Sequence, residues 1–178
     1  MARVYMVLTA IGRDRRGTVE MITDVVVKHF ANIEESRMAR LGGEFAVIML
    51  LSLSDENLKT LEQNLEKLTD RGLMVVTRKT DLSRIEQFRG YVPYEISVIG
   101  ADHEGIVNRV ARYLASEHVN VEEMDTHVTH APNTGTPLFS MNARVQAPPG
   151  LTLNQLRQKL GEVGNELDVD IDVNVPLS

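Results

Sequence analysis

The chain contains no cysteine, so disulfides, thiolate metal ligands and cysteine nucleophiles are excluded together, and a reducing cytoplasmic compartment is expected. No apolar run is long enough to span a bilayer. The run Val4–Ile11 is too short and lacks a small-residue cleavage pattern, so it reads as a strand and not as a signal segment. Aromatic residues make up only 4% of the chain, and no basic stripe interleaves with them, which argues against direct nucleic-acid binding. Nor is there a nucleophile elbow, a phosphate-cradling Walker loop or a His-Asp-Ser set, so no catalytic residue and no cofactor is expected.

What the chain does contain is itself, twice. An offset of 88 positions lays Leu8–Met38 over Ile96–Thr126 without a gap. It matches Ile11 with Ile99, Gly12 with Gly100, Asp14 with Asp102, Gly17 with Gly105, Asn32 with Asn120, and Glu34-Glu35 with Glu122-Glu123. This is a tandem duplication. The 178 residues are therefore expected to form two domains, 1–84 and 92–178, joined by a linker over 85–91. Domains this small bury a modest fraction of their surface, so each is expected to lean on the other or on a second copy in a homodimer.

Charge divides unevenly. Residues 1–90 carry 14 Lys+Arg against 13 Asp+Glu, and residues 91–178 carry 5 against 12, so the halves stand at +1 and −7. The acidic half repels phosphate backbones.

Within the first repeat, Val4–Ile11 reads as a strand ended by Gly12, and Val19, Ile22, Val25, Val26 and Phe30 then recur at helical spacing. Ile33–Arg40 and Glu44–Leu53 flank the turn at Gly42-Gly43 and form a hairpin. Ser54 is expected to cap a second helix with Leu58, Leu61, Leu65 and Leu68 on one face, Gly72 closes it, and Leu73–Lys79 is the last strand. The second repeat has the same order: Tyr94–Ile99, a helix with Ile106, Val107, Val110 and Leu114, strands Val119–Thr129 and Leu138–Gln146, a helix opened by a Thr152/Gln155 capping box, and Asp168–Val173. The fold class is α+β, with two tandem ferredoxin-like β-α-β-β-α-β domains whose helices cover one face of an antiparallel sheet.

The repeated loop Gly-x-Asp-x-x-Gly sits between a strand and a helix. Glycines permit a sharp turn or a close approach of a ligand, and the first free N–H groups of the helix favour an anion such as a carboxylate. Asp14 and Asp102 either cap their helices or face a ligand ammonium. Asn32 and Asn120 either take a left-handed turn or meet an end of an amino acid with an acceptor and two donors. Arg13, Arg15 and Arg16 form a basic cluster at the first loop. His127 and His130 are three apart on a strand and point to opposite faces, so no metal site is expected among them, His103 and His118. Asp168, Asp170 and Asp172 read as one solvated strand face.

The strand, Asp-x-x-Gly loop, helix ending in Ala31-Asn32-Ile33 and hairpin Leu41-Gly42-Gly43-Glu44-Phe45 resemble the ACT domain, a small-molecule regulatory module, and both halves match. The stretches Asn32-Ile33-Glu34-Glu35-Ser36-Arg37, Gly42-Gly43-Glu44-Phe45 and Ile48-Met49-Leu50-Leu51 are similar to the glycine cleavage system transcriptional repressor family. So is the longer second hairpin with Ala131-Pro132 and Gly135-Thr136-Pro137-Leu138-Phe139. The resemblance implies a protein without catalysis that senses an amino acid, glycine among the candidates, and acts through a separate DNA-binding transcription regulator. It carries the ligand-contacting role to Gly12, Asp14, Gly17 and Asn32, and to Gly100, Asp102, Gly105 and Asn120. One position departs from the family pattern: the residue before the second loop glycine, commonly proline, is Arg16 in one repeat and Glu104 in the other, which gives the two loops opposite charges. A ligand-independent dimerisation or scaffold module and a small metal-dependent enzyme are the alternative readings.

Overall fold

A computed structural model describes residues 3–82 and 88–176, so the first three residues of the expected linker, 85–87, lie outside the described residues. Two compact units are present, residues 1–84 and 85–178. The first runs β1 (Arg3–Arg13), α1 (Thr18–Lys28), β2 (Asn32–Leu41), β3 (Glu44–Ser54), α2 (Asp55–Glu66), a 3₁₀ turn (Lys67–Arg71) and β4 (Leu73–Thr80). The second runs β5 (Val92–Ala101), α3 (Ile106–Ser116), β6 (Asn120–His130), β7 (Pro137–Ala147), α4 (Leu153–Leu167) and β8 (Val169–Asn174). Sheet orders β2-β3-β1-β4 and β6-β7-β5-β8 are the same antiparallel pattern, the β-α-β-β-α-β arrangement read from the sequence. Among the described residues no helix is long and apolar enough to cross a membrane.

Strand alternation decides which face is core. In β1, Met6, Leu8 and Ala10 are buried with Val47, Met49 and Leu51 of β3, and Ile22, Val26, Leu61 and Leu65 from the helices close that side. The second unit repeats this with Ile96, Val98, Met141, Val145, Val110, Leu114, Leu156 and Leu160.

Three local expectations change. Ser54 stands before α2 in an extended conformation but makes no capping side-chain bond, whereas the Thr152/Gln155 box is formed in both directions at α4. Asp168 is not in the last strand; it closes α4 in the left-handed region at φ 54°, leaving Asp170 and Asp172 on β8. The left-handed residue after each first helix is Phe30 or His118, not the asparagine. There Ala31 N–H reaches Val26 O and Phe30 N–H reaches Val27 O, with Val119 to Leu114 O and His118 to Ala115 O in the copy, so both helices end in a Schellman motif sealed by apolar residues. Asn32 and Asn120 follow as the first residues of β2 and β6.

Candidate functional site

The loop glycines do two different jobs. Gly12 and Gly100 lie inside β1 and β5, opposite Leu73 and Val169. A Cβ on Gly12 would sit 2.5 Å from the Gly72 carbonyl oxygen, and one on Gly100 would sit 2.6 Å from Cγ1 of Val169. These glycines admit a neighbouring strand. Gly17 and Gly105 are different: at φ 84° and 94° they lead directly into α1 and α3, and their left-handed backbone is what glycine supplies.

Neither aspartate supplies the side-chain cap of its helix, since the N-cap residues are the glycines. Asp14 N–H donates to Gly43 O at 2.9 Å and its carboxylate pairs with Arg40 at 3.3 Å; Asp102 N–H donates to Pro137 O at 3.0 Å. The residue after each aspartate straps the loop down. Arg15 donates to the carbonyl of Arg71 at 2.8 Å, and His103, its repeat partner, places Nε2 2.7 Å from the carbonyl of Leu167. Arg71 precedes left-handed Gly72 and Leu167 precedes left-handed Asp168, so both straps hold the corner entering the last strand. No periodicity marks this strap in the sequence, because a guanidinium and an imidazole fill the same role.

His103 offers Nδ1 to Glu104 O at 3.0 Å as well. Both acceptors are carbonyls, and a neutral imidazole has only one N–H to give. The Leu167 carbonyl first, then the Glu104 carbonyl, therefore holds the imidazolium and raises the pKa of His103 above its ordinary value near 6.5. A raised value means the strap's contribution is complete below about pH 6.5 and is lost as pH rises through the folded-state pKa. An NMR titration of the His103 ring is expected to show its inflection above 6.5, and His103→Arg to flatten the melting temperature between about pH 6 and 8. An inflection below 6.5 would show that the carbonyls do not hold the proton.

At the N-terminus of α1 a groove of about 570 Å³ is lined by Arg15, Arg16, Gly17, Thr18, Glu20, Met21, Asp24 and Arg71. Its floor is fixed: Thr18 is buried and donates its Oγ1 proton to Arg15 O at 2.8 Å. Of the expected ligand residues, only Gly17 reaches this groove. Arg71, Glu20 and Asp24 carry no motif or repeat signal in the sequence: Arg71 belongs to a distant turn, and the acids lie on the exposed side of α1.

Asn32 is elsewhere. It pairs with Ser52 on β3, while Gly12 pairs with Phe45, seven positions along the same strand. At roughly 3.3 Å per residue that is about 23 Å. The second unit separates Asn120, opposite Gln146, from Gly100, opposite Phe139, by the same seven positions. One unit therefore does not bring its asparagine to its glycine loop. Asn32 instead donates Nδ2 to Glu34 Oε1 at 3.2 Å; Glu34 bonds closely to Ser52 and pairs with Arg3 at 3.0 Å, and Arg3 also donates to Ser52. The Ser52 hydroxyl first, then the Asn32 amide and the Arg3 charge, holds Glu34 below the usual carboxylate range. Glu34 is the extra residue of a β-bulge between Ile33 and Glu35, and Glu122, in the matching bulge, accepts from Gln146 at 2.6 Å.

Two sheets of this order, each with a strand-to-helix glycine loop and a bulged second strand, define the class: the ACT-domain family model matches residues 4–77, nearly all of the first unit, and the second unit repeats that unit's sheet order. Over 96% of its length, and 90% of the relative's, it is 28% identical to the glycine cleavage system transcriptional repressor of Escherichia coli strain K12. A crystal structure of an unknown protein from Galdieria sulphuraria, 34% identical, superposes with a TM-score of 0.81 over 99% of this chain and all of that one. The fold is also shared, at 23% identity, TM-score 0.70 and 98% coverage of both chains, with a crystallised candidate glycine cleavage system transcriptional repressor.

Proposed function

We propose that the chain is a non-catalytic amino-acid sensor that regulates transcription of glycine cleavage or related amino-acid metabolism through a separate DNA-binding protein. The observation that carries this reading is the groove at the start of α1, where arginines and carboxylates stand beside the positive end of the helix. A zwitterion needs both signs within a few ångströms. Arg15, Arg16 and Arg71 with the positive end of α1 suit its carboxylate, and Glu20 and Asp24 suit its ammonium. Similarity to the E. coli repressor over nearly the whole chain supports a transcriptional role, and the net charge of −6 supports delegation of DNA contact to a partner. Asn32 orients Glu34 in this reading and does not touch the ligand.

A thermal-shift screen of the twenty amino acids at millimolar concentration tests it. Glycine has five heavy atoms, and a ceiling of about 1.5 kcal/mol for each limits binding to about 7.5 kcal/mol, so its Kd stays near or above the micromolar range. At about a hundredfold over Kd one site stabilises its unit by about 2.7 kcal/mol, a melting shift on the order of 10–20 °C for a unit of this size. If none of the twenty moves the transition, the scaffold reading replaces this one.

A further inference from the structure

The duplication provides its own control for the sheet face that the helices leave open. In the first unit the central strands present Val7, Thr9 and Ile11 beside Ala46, Ile48 and Leu50 on that face, and β4 adds Met74 and Val76. Ile48, Met74 and Val76 are 49%, 67% and 59% exposed. At the matching register positions the second unit carries Glu95 for Val7, Asn142 for Ile48, Arg144 for Leu50, Asp170 for Met74 and Asp172 for Val76. The same fold thus solvates this face in one copy and in the other leaves its centre apolar, with Glu35, Arg37 and Arg78 on its edge strands. A contiguous apolar sheet face of this kind marks a covered surface.

We infer that a second copy of the chain covers it, with the open faces of two first units packed sheet to sheet about a two-fold axis that runs along the strands. Four strands at about 4.8 Å spacing and about ten residues of about 3.3 Å give roughly 630 Å² per copy, or about 1,250 Å² for the pair before side-chain relief is counted, which reaches the size of a stable interface. The inference stands apart from what the loop groove binds.

Register fixes the orientation. Glu35, Leu50, Val7 and Arg78 form one row across the sheet, with Glu35 on one edge strand, where it also pairs with Arg37 of its own strand at 3.1 Å, and Arg78 on the other. A two-fold along the strands lays β2 over β4 of the second copy, so Glu35 meets Arg78 of that copy and Arg78 meets its Glu35. The same operation sets Leu50 over Val7, Ala46 over Ile11 and Ala39 over Met74, large against smaller throughout. The other in-plane two-fold lays each edge strand on its own counterpart and drives Arg37 towards Arg37. Charge therefore selects the first arrangement.

Sedimentation equilibrium on the full chain tests this. The parent is expected at about twice its 19.9 kDa mass. Ile48→Asn with Met74→Asp writes the second unit's polarity onto the first, at exposed positions in a fold that already accepts it, and is expected to raise the dimer Kd at least about 100-fold with the circular-dichroism melt retained. Glu35→Arg or Arg78→Glu alone is expected to raise Kd about tenfold, and the two together to return it to within about threefold of the parent. Ser97→Asp, on the second unit's open face, is expected to leave it unchanged. A parent that sediments at its monomer mass at about 50 μM, well above the micromolar upper limit typical of standard-size interfaces, a dimer indifferent to Ile48→Asn/Met74→Asp, or a charge exchange that fails to restore affinity overturns the proposal. The edge exchange decides even if the apolar pair unfolds the unit.

Discussion

Gly12→Ala and Gly100→Ala are each expected to destabilise their own unit by about 3 kcal/mol, a melting loss on the order of 10–20 °C for a domain of this size. The added methyl has nowhere to go. On Gly12 it meets a backbone carbonyl oxygen at 2.5 Å and Leu73 Cδ2 at 2.9 Å; on Gly100 it meets Val169 at 2.6, 2.9 and 3.0 Å, the last being its Cα. Relief requires β4 or β8 to move off the central strand, which breaks the register that continues along the pair. Gly105→Ala is the internal comparison. Nothing lies within 4 Å of its Cβ position, so only the left-handed backbone at φ 94° is charged against it, about 1 kcal/mol. Calorimetry separates the two cases, and equal losses at Gly100 and Gly105 would show that the strand contact is not what holds Gly100.

That contrast shows where sequence reading stopped. Every helix and strand was legible, because apolar spacing switches cleanly between two and 3.6 residues and Gly42-Gly43 marks the first hairpin. The four loop glycines were equally visible, but identical letters hid two causes: strand approach at Gly12 and Gly100, and left-handed backbone at Gly17 and Gly105. Asn32 and the loop recur together at the 88-residue offset, yet a helix that runs back along the sheet carries the chain to the opposite end before Asn32 begins β2. Proximity in a repeat pattern is not proximity in the fold. The groove's third arginine was invisible for the converse reason, since Arg71 comes to the loop only through the corner that Arg15 straps.

The same corner explains why the first unit, and not the second, is expected to take the amino acid. The positions that supply Arg15, Arg16 and Arg71 in the first copy supply His103, Glu104 and Leu167 in the second, so the carboxylate-binding charges are replaced by one imidazole and a carboxylate. Arg16→Glu, which installs the second copy's residue, removes a charge-assisted donor and adds a repelling charge beside it. Losses of a few kcal/mol are typical for such a change, so affinity for the amino acid is expected to fall about 100-fold while the melt without ligand stays within about 2 °C. Arg16 is exposed and has no hydrogen bond or ion pair among the described residues, unlike Arg15, whose replacement would also free the corner at Arg71. Glu104→Arg is expected to leave the first site's affinity unchanged. Isothermal titration with glycine, and then with whichever amino acid shifts the melt most, reads the parent, these two variants and Asp102→Ala. Unchanged binding by Arg16→Glu together with loss in Asp102→Ala would place recognition at the second loop, where an ammonium and not a carboxylate would have to face Glu104.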